Sequence, residues 1–328
     1  MSTTGKQITD EHAASNQMIS EHLSSEHTTT KQELQKQEQK AAMRVSTVSI
    51  VVNVALSMLK LIAGLVASSG AMVSDAIHSA SDVFSTVIVM IGVHISGKQA
   101  DDEHPYGHER MECVAAIILA VMLALTGVGI GSAGLKNIVS GDYASLTVPG
   151  VLALWAAVIS IVVKEWMFHY TMHTAKTIKS GALKADAWHH RSDALSSVGA
   201  LIGITFARFG FPIMDSVASV VICIFILKAA YDIFKDAVDK MVDHACDAET
   251  VEAMKQLIGS IDGVEGVKVV NTRLFGSRIY LDVVIEADGQ KTLEEAHDIA
   301  RNVHDAIEEK FVDVKHCMVH VDPKKTEA

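Results

Sequence analysis

Six long apolar runs between Met43 and Met241 decide what this chain can fold into. They cover roughly residues 43–67, 71–97, 112–138, 146–170, 183–208 and 213–237. Each meets the requirement of about 20 residues for a helix to cross a hydrocarbon core. A soluble helical bundle would break such runs with a polar stripe every turn or two, and these runs mostly lack one. Residues 43–241 therefore read as the six transmembrane helices of an α-helical membrane protein. Polar sequence lies on both sides of this block, so the 49% of hydrophobic residues is concentrated rather than spread.

Six is an even number, so both termini are expected on one face of the bilayer. Positive charges indicate which face. Lys31, Lys36, Lys40 and Arg44 precede the first run. Lys98 and Arg110 lie between the second and third, Lys176, Lys179 and Lys184 between the fourth and fifth, and Lys235 and Lys240 close the sixth. The other connections hold little more than Lys136 and Arg208. Both termini are thus expected in the cytoplasm, with the chain multi-pass in the cell (inner or plasma) membrane. Residues 1–42 are polar and expected as a disordered tail, with helix near 31–44. The net charge of −11 excludes nucleic acid as a natural partner and suits cations. Four scattered cysteines without a C-x-x-C argue against a disulfide scaffold or a thiolate zinc cage.

Beyond Asp243 the pattern changes. "AETVEAMKQLIGSI" has apolar residues at helical spacing, and "VEGVKVVNTR" and "RIYLDVVIEA" read as strands joined by "LFGS". "TLEEAHDIARNVHDAIEEKF" is an amphipathic helix in which Thr292 and Glu295 form a capping box. "VKHCMVHV" is a last strand, closed by Asp322-Pro323. The order αββαβ over 242–323 predicts a small α+β domain, which would gain from pairing with a second copy. Residues 324–328 are a short tail.

Ionisable residues stand inside two of the apolar runs. "DAIHSASD" places Asp75, His78 and Asp82 at i, i+3, i+7, within about 60° of one helix face. "DAWHHRSD" repeats the spacing in the fifth run with Asp186, His189 and Asp193. Helices two and five cross in opposite directions, the inverted arrangement that transporters use around a midplane site. Together His78, Asp82, His189 and Asp193 supply two imidazoles and two carboxylates, a tetrahedral set for Zn²⁺. Asp75 and Asp186, a turn earlier, are expected to support these ligands. The competing reading is a structural polar network between two helices. Lys164 and Glu165, in the fourth run, are expected to snorkel or face the bundle. His169 and His173 at i, i+4 read as interfacial. In the loop after run two, "ADDEHPYGHERME", a Pro-Tyr-Gly turn brings His104 and His108 towards Asp101, either around one ion or as a solvated acidic loop.

"VSDAIHSASD", "DDEHPYGHERME", "ADAWHHRSD" and "VHVDP" occur in an order and spacing that resemble the cation diffusion facilitator family of divalent-metal/proton antiporters. The resemblance covers about residues 43–323. It implies a homodimer working by alternating access, with a cytoplasmic ferredoxin-like domain. It implies a peripheral metal site at Asp101, His104 and His108, and a salt bridge between Arg110 and Asp243. It implies metal ligands at His297, His320 and Asp322, for which this chain offers Asp282 or His316 as candidate helpers in a single, weaker site. The chain departs from the family's two-metal pattern at Lys268 and Val284, where binuclear members carry histidine.

The expected function is Zn²⁺/H⁺ antiport out of the cytoplasm. An Fe²⁺, Mn²⁺, Cd²⁺ or Co²⁺ exporter of the same family is the second reading. A membrane-bound metal sensor or scaffold is the alternative of another class. Without a Walker loop or an H-E-x-x-H motif, no enzyme is expected. No resident cofactor is expected either; Zn²⁺ enters as cargo and regulatory ligand, protons as the exchanged ion and the lipid bilayer as the surroundings.

Overall fold

The computed structural model describes the backbone of residues 4–66, 70–140, 151–208 and 213–324. Side chains are described from Glu33 onward, apart from scattered positions in the helices that include Asp75 and His78. Six long helices come first: α1 (Thr4–Val66), α2 (Gly70–Ser96), α3 (Met111–Ser140), α4 (Val151–Thr177), α5 (Gly181–Arg208) and α6 (Ile213–Met241). They fall on the six apolar runs. Among the described residues, Glu33–Ala63, Met111–Ser140 and Ser216–Met241 are long and apolar enough to cross a membrane. The shorter stretch Asp82–Ser96 is also apolar.

The N-terminus differs from the expected disordered tail, because α1 runs through it from Thr4. Between Lys6 and Ala63 there is neither proline nor glycine, and glutamate, lysine and glutamine are common. Nothing in that stretch breaks a helix, and these residues lose little side-chain freedom in one.

The chain divides into two compact units. The helical unit comprises Ala41–Cys246 and Thr272–Tyr280. Its core joins Val89 and Val93 of α2, Leu119 and Leu123 of α3, Leu183 of α5, and Ile226 and Ile233 of α6. Helix α3 packs most extensively against α6. Small residues permit the approach: a Cβ on Gly134 would lie 2.8 Å from the Ser216 carbonyl oxygen, and one on Gly131 2.4 Å from Cys223 Sγ. With little apolar driving force between helices in lipid, such close packing holds them together.

The second unit comprises Asp247–Asn271 and Leu281 onward, with the chain up to Lys40. Its elements are α7 (Ala248–Gly259), β1 (Gly266–Phe275) and β2 (Arg278–Asp288) apart from their shared tip, then α8 (Leu293–Lys310) and β3 (Val314–Lys324), the expected order. The sheet order is β1-β2-β3. Strands β1 and β2 meet at a two-residue turn, Gly276-Ser277, where Gly276 takes φ +65°. Glycine at the first turn position suits the twist of a hairpin. Thr292 caps α8 and the capping box with Glu295 is formed. Strand β3 continues through Pro323 to Lys324 rather than stopping before it. As an edge strand it tolerates a residue without an N–H. Met254, Ile258, Leu281, Ile285, Val303, Ile307 and Val314 fill the core of this unit.

Gly134→Val should lower the thermal midpoint of the detergent-purified protein, at a cost of about 1–3 kcal/mol, because a backbone oxygen cannot yield. Gly129→Ala, with nothing within 4 Å of the new methyl, should leave the midpoint unchanged or raise it.

Candidate metal centre

Three helices bring their ionisable residues together inside the helical unit. Asp82 comes from α2, His189 and Asp193 from α5, and Lys164 from α4. Helix α5 is set by Ser180, whose Oγ accepts from the Leu183 amide at 3.2 Å, so its polar face starts in a fixed register. One ligand atom each from Asp82, His189 and Asp193 lies within 4.8 Å of the others. His189 Nε2 is 3.5 Å from Asp82 Oδ1. The three are buried or nearly so, and suited to a cation that sheds most of its water. The side chains of His78 and Asp75 lie outside the described residues.

Lys164 does not snorkel. Its Nζ donates to Asp82 Oδ2 at 2.7 Å and to Asp193 Oδ2 at 2.9 Å, and its side chain is only 2% exposed. Two carboxylates on two different helices are thus held by one ammonium from a third. Glu165 points elsewhere, to Arg191 Nη2 at 3.6 Å and His169 Nε2 at 3.3 Å, at a more exposed position.

Asp186 sits apart from the cluster's three ligand groups. Its Oδ1 accepts from Thr86 Oγ1 at 3.2 Å, and its Oδ2 is 3.5 Å from His190 Nε2. Both Asp186 and His190 are completely buried. Sequence reasoning missed Thr86, His190 and the place of Lys164. The second histidine of "DAWHHRSD" was the available signal for His190, since adjacent helical positions face about 100° apart and cannot share one site.

In the loop after α2, Asp101, His104 and His108 form a second group whose ligand atoms come within 4.8 Å. The His104 amide donates to Asp101 Oδ1 at 2.7 Å, and His108 Nε2 is 3.5 Å from Asp101 Oδ2. Gly107 at φ +94° turns the chain so that the two imidazole rings lie 4.4 Å apart. The backbone N–H of His104 holds the Asp101 carboxyl below its ordinary range. Asp101 and His104 are open to solvent.

Residues 46–242 match the "Cation efflux transmembrane domain", and residues 246–324 the "Cation efflux protein, cytoplasmic domain". The chain belongs to the cation diffusion facilitator, or cation efflux, family. It is similar to the "Uncharacterized transporter MJ0449" of Methanocaldococcus jannaschii, 36% identical over 274 residues that cover 84% of this chain and 95% of the relative. Two further relatives come from Bacillus subtilis. "Manganese efflux system protein MneS" is 35% identical over 84% of this chain and 93% of its own. "Manganese efflux system protein MneP" is 31% identical over 87% of this chain and 97% of its own. The family consists of divalent-metal efflux transporters, not enzymes.

In this cation efflux protein Arg110 Nη2 forms an ion pair with Asp243 Oδ1, and its guanidinium stacks 4.6 Å from the Phe275 ring centroid. Asp243 ends α6 in the left-handed region, at φ +63°. Tyr280 donates its hydroxyl to the Tyr106 carbonyl at 2.9 Å, so the hairpin tip and the loop after α2 meet within the helical unit.

The cytoplasmic unit does not bring His297, His320 and Asp322 around one point within the chain. His320 Nε2 lies 3.0 Å from Asp322 Oδ1, whereas His297, on α8, lines a groove of about 400 Å³ with Asp322 on its wall. The other Asp322 oxygen is taken by Lys268 Nζ at 3.0 Å, which also pairs with Glu286 at 3.1 Å. Among the described residues only the buried and loop groups gather three metal-ligating side chains.

Arg110→Ala should cost no more than about 1 kcal/mol in unfolding experiments, because the pair is partly exposed. A second prediction concerns pH. The Lys268 ammonium holds the Asp322 carboxyl below its ordinary 3.8, and the Asp322 and Glu286 carboxylates raise Lys268 above 10.5. The Asp322 contribution is present above the ordinary carboxylate pKa and lost as pH falls through the depressed one. The Lys268 contribution is complete below 10.5 and lost as pH rises through the raised value. The difference in thermal midpoint between wild type and Lys268→Ala should therefore be steady from about pH 5 to 9 and shrink on either side.

Proposed function

We propose that this protein exports Zn²⁺ from the cytoplasm in exchange for protons, binding the ion at His78, Asp82, His189 and Asp193. The observation that carries the reading is the buried meeting of Asp82, His189 and Asp193 between α2 and α5. Charged groups at membrane depth are costly and face a partner or a pathway rather than lipid. Two carboxylates balance the charge of a divalent ion. Imidazoles ligate only when neutral, so protons compete with the metal for them, and a proton gradient can drive the exchange. In the proposed cycle the ion binds from the cytoplasm, helices α2 and α5 rock to open the other face, and protons displace it there.

In this reading the chain spans the cell membrane six times with both termini in the cytoplasm. The cytoplasmic unit is ferredoxin-like and pairs with that of a second copy. Asp101, His104 and His108 hold a peripheral ion, while Lys268 leaves His297, His320 and Asp322 at most a weak site. Mn²⁺ is the second reading for the cargo, favoured by the similarity to MneS and MneP. Nitrogen donors favour Zn²⁺ and oxygen donors suit Mn²⁺, so an equal His/Asp set serves both.

In proteoliposomes, an imposed pH gradient should drive Zn²⁺ flux in the wild type, and Asp193→Ala should reduce it to the rate of empty vesicles. Mn²⁺ flux without Zn²⁺ flux would select the second cargo. Gradient-driven flux of either ion at the normal rate in Asp193→Ala would show that the ion travels elsewhere.

A further inference from the structure

The mechanism above gives Lys164 no part, yet its ammonium holds the two carboxylates assigned to the metal. Lys164 Nζ is 2.7 Å from Asp82 Oδ2 and 2.9 Å from Asp193 Oδ2. These are the lengths of strong charge-assisted hydrogen bonds, one to each helix. Asp82 and Lys164 are almost wholly buried, so solvent screens the pair little.

We infer that Lys164 is a tethered counter-cation that takes the metal's place between Asp82 and Asp193 and must be displaced each time an ion binds. This rests on the transport-site reading above. Zinc–carboxylate bonds are about 2.0–2.2 Å long. An ion bridging the two aspartates would stand within about 4 Å of an ammonium still bonded to both, and like charges that close repel strongly at low dielectric. The two occupants are therefore mutually exclusive.

Tethering sets the consequences. The ammonium rides on α4 and stays near the site, so it competes at a high effective concentration whatever the metal concentration outside. It weakens metal binding in both orientations of the carrier. When the ion leaves, the ammonium returns, and two buried carboxylates never face each other without a cation. That lowers the cost of the empty carrier's return, because an uncompensated buried charge is what makes such a site expensive. Lys164 thus exchanges affinity for turnover.

The test uses the full chain in nanodiscs, titrated calorimetrically with Zn²⁺ and with Mn²⁺, with flux measured in proteoliposomes. Asp193→Ala marks the baseline for binding at this site. Lys164→Gln removes the competing charge, so the site should bind at least about tenfold tighter. Both KM and maximal flux should fall together. Lys164→Arg keeps the charge and can grip both carboxylates with a planar fork, so binding should weaken or stay equal while flux drops.

A lysine with only a packing role would give another pattern: Lys164→Gln would lower thermal stability without tightening binding. Unchanged or weaker binding in folded Lys164→Gln overturns the inference. Should that variant not fold, Lys164→Arg decides, and tighter binding there overturns it. If the wild type transports neither ion, the transport reading fails, while the titrations still report whether lysine and metal compete.

Discussion

A buried ammonium shared by two buried carboxylates organises the helical unit. Lys164 on α4, Asp82 on α2 and Asp193 on α5 are charges that no lipid-facing surface would accept. Their mutual pairing requires three helices to converge at one depth. Removing one partner from such a buried pair typically costs about 3–5 kcal/mol, because the remaining charge is left unpaired. The fit of the other helices follows from packing instead. Helices α3 and α6 are apolar and meet through glycine and small side chains. The unit thus combines an apolar side, where helices can sit close, with a polar seam, where ionisable side chains pair.

Much of this architecture was legible in the sequence. The spacing i, i+3, i+7 in two octapeptides identified Asp82, His189 and Asp193 as residues of converging helix faces, and the structure brings their ligand atoms together. The helix and strand order after Asp243, and the Thr292–Glu295 capping box, were likewise written in local pattern. Lys164 was not legible. A lysine in an apolar run fits a snorkelling side chain as well as a buried one, and only the crossing of α4 with α2 and α5 separates the two. His190 was hidden by its neighbour, because adjacent histidines face different ways and only tertiary contacts show that Asp186 receives the second. At the N-terminus, composition argued for disorder while the absence of proline and glycine permitted the helix that forms.

Two lysines in this chain do similar chemistry with different consequences. Lys268 bridges Asp322 and Glu286 at 3.0 and 3.1 Å, much as Lys164 bridges Asp82 and Asp193. The Lys268 side chain is 42% exposed, whereas that of Lys164 is 2% exposed. Water and salt weaken the first pair, so it ties β1 to β2 and β3 at small energetic weight. The second pair is shielded, and any other cation entering there must remove the first. The same residue type is a surface tie in one unit and a buried bridge between three helices in the other.

The most direct measurement is an experimental structure of the full chain with Mn²⁺ bound, the ion located by its anomalous scattering. The account predicts density for the ion between the Asp82 and Asp193 carboxylates, with His189 at ligand distance and Lys164 Nζ withdrawn from both. An ion bound elsewhere in the helical unit, with Lys164 still bonded to both aspartates, would contradict it.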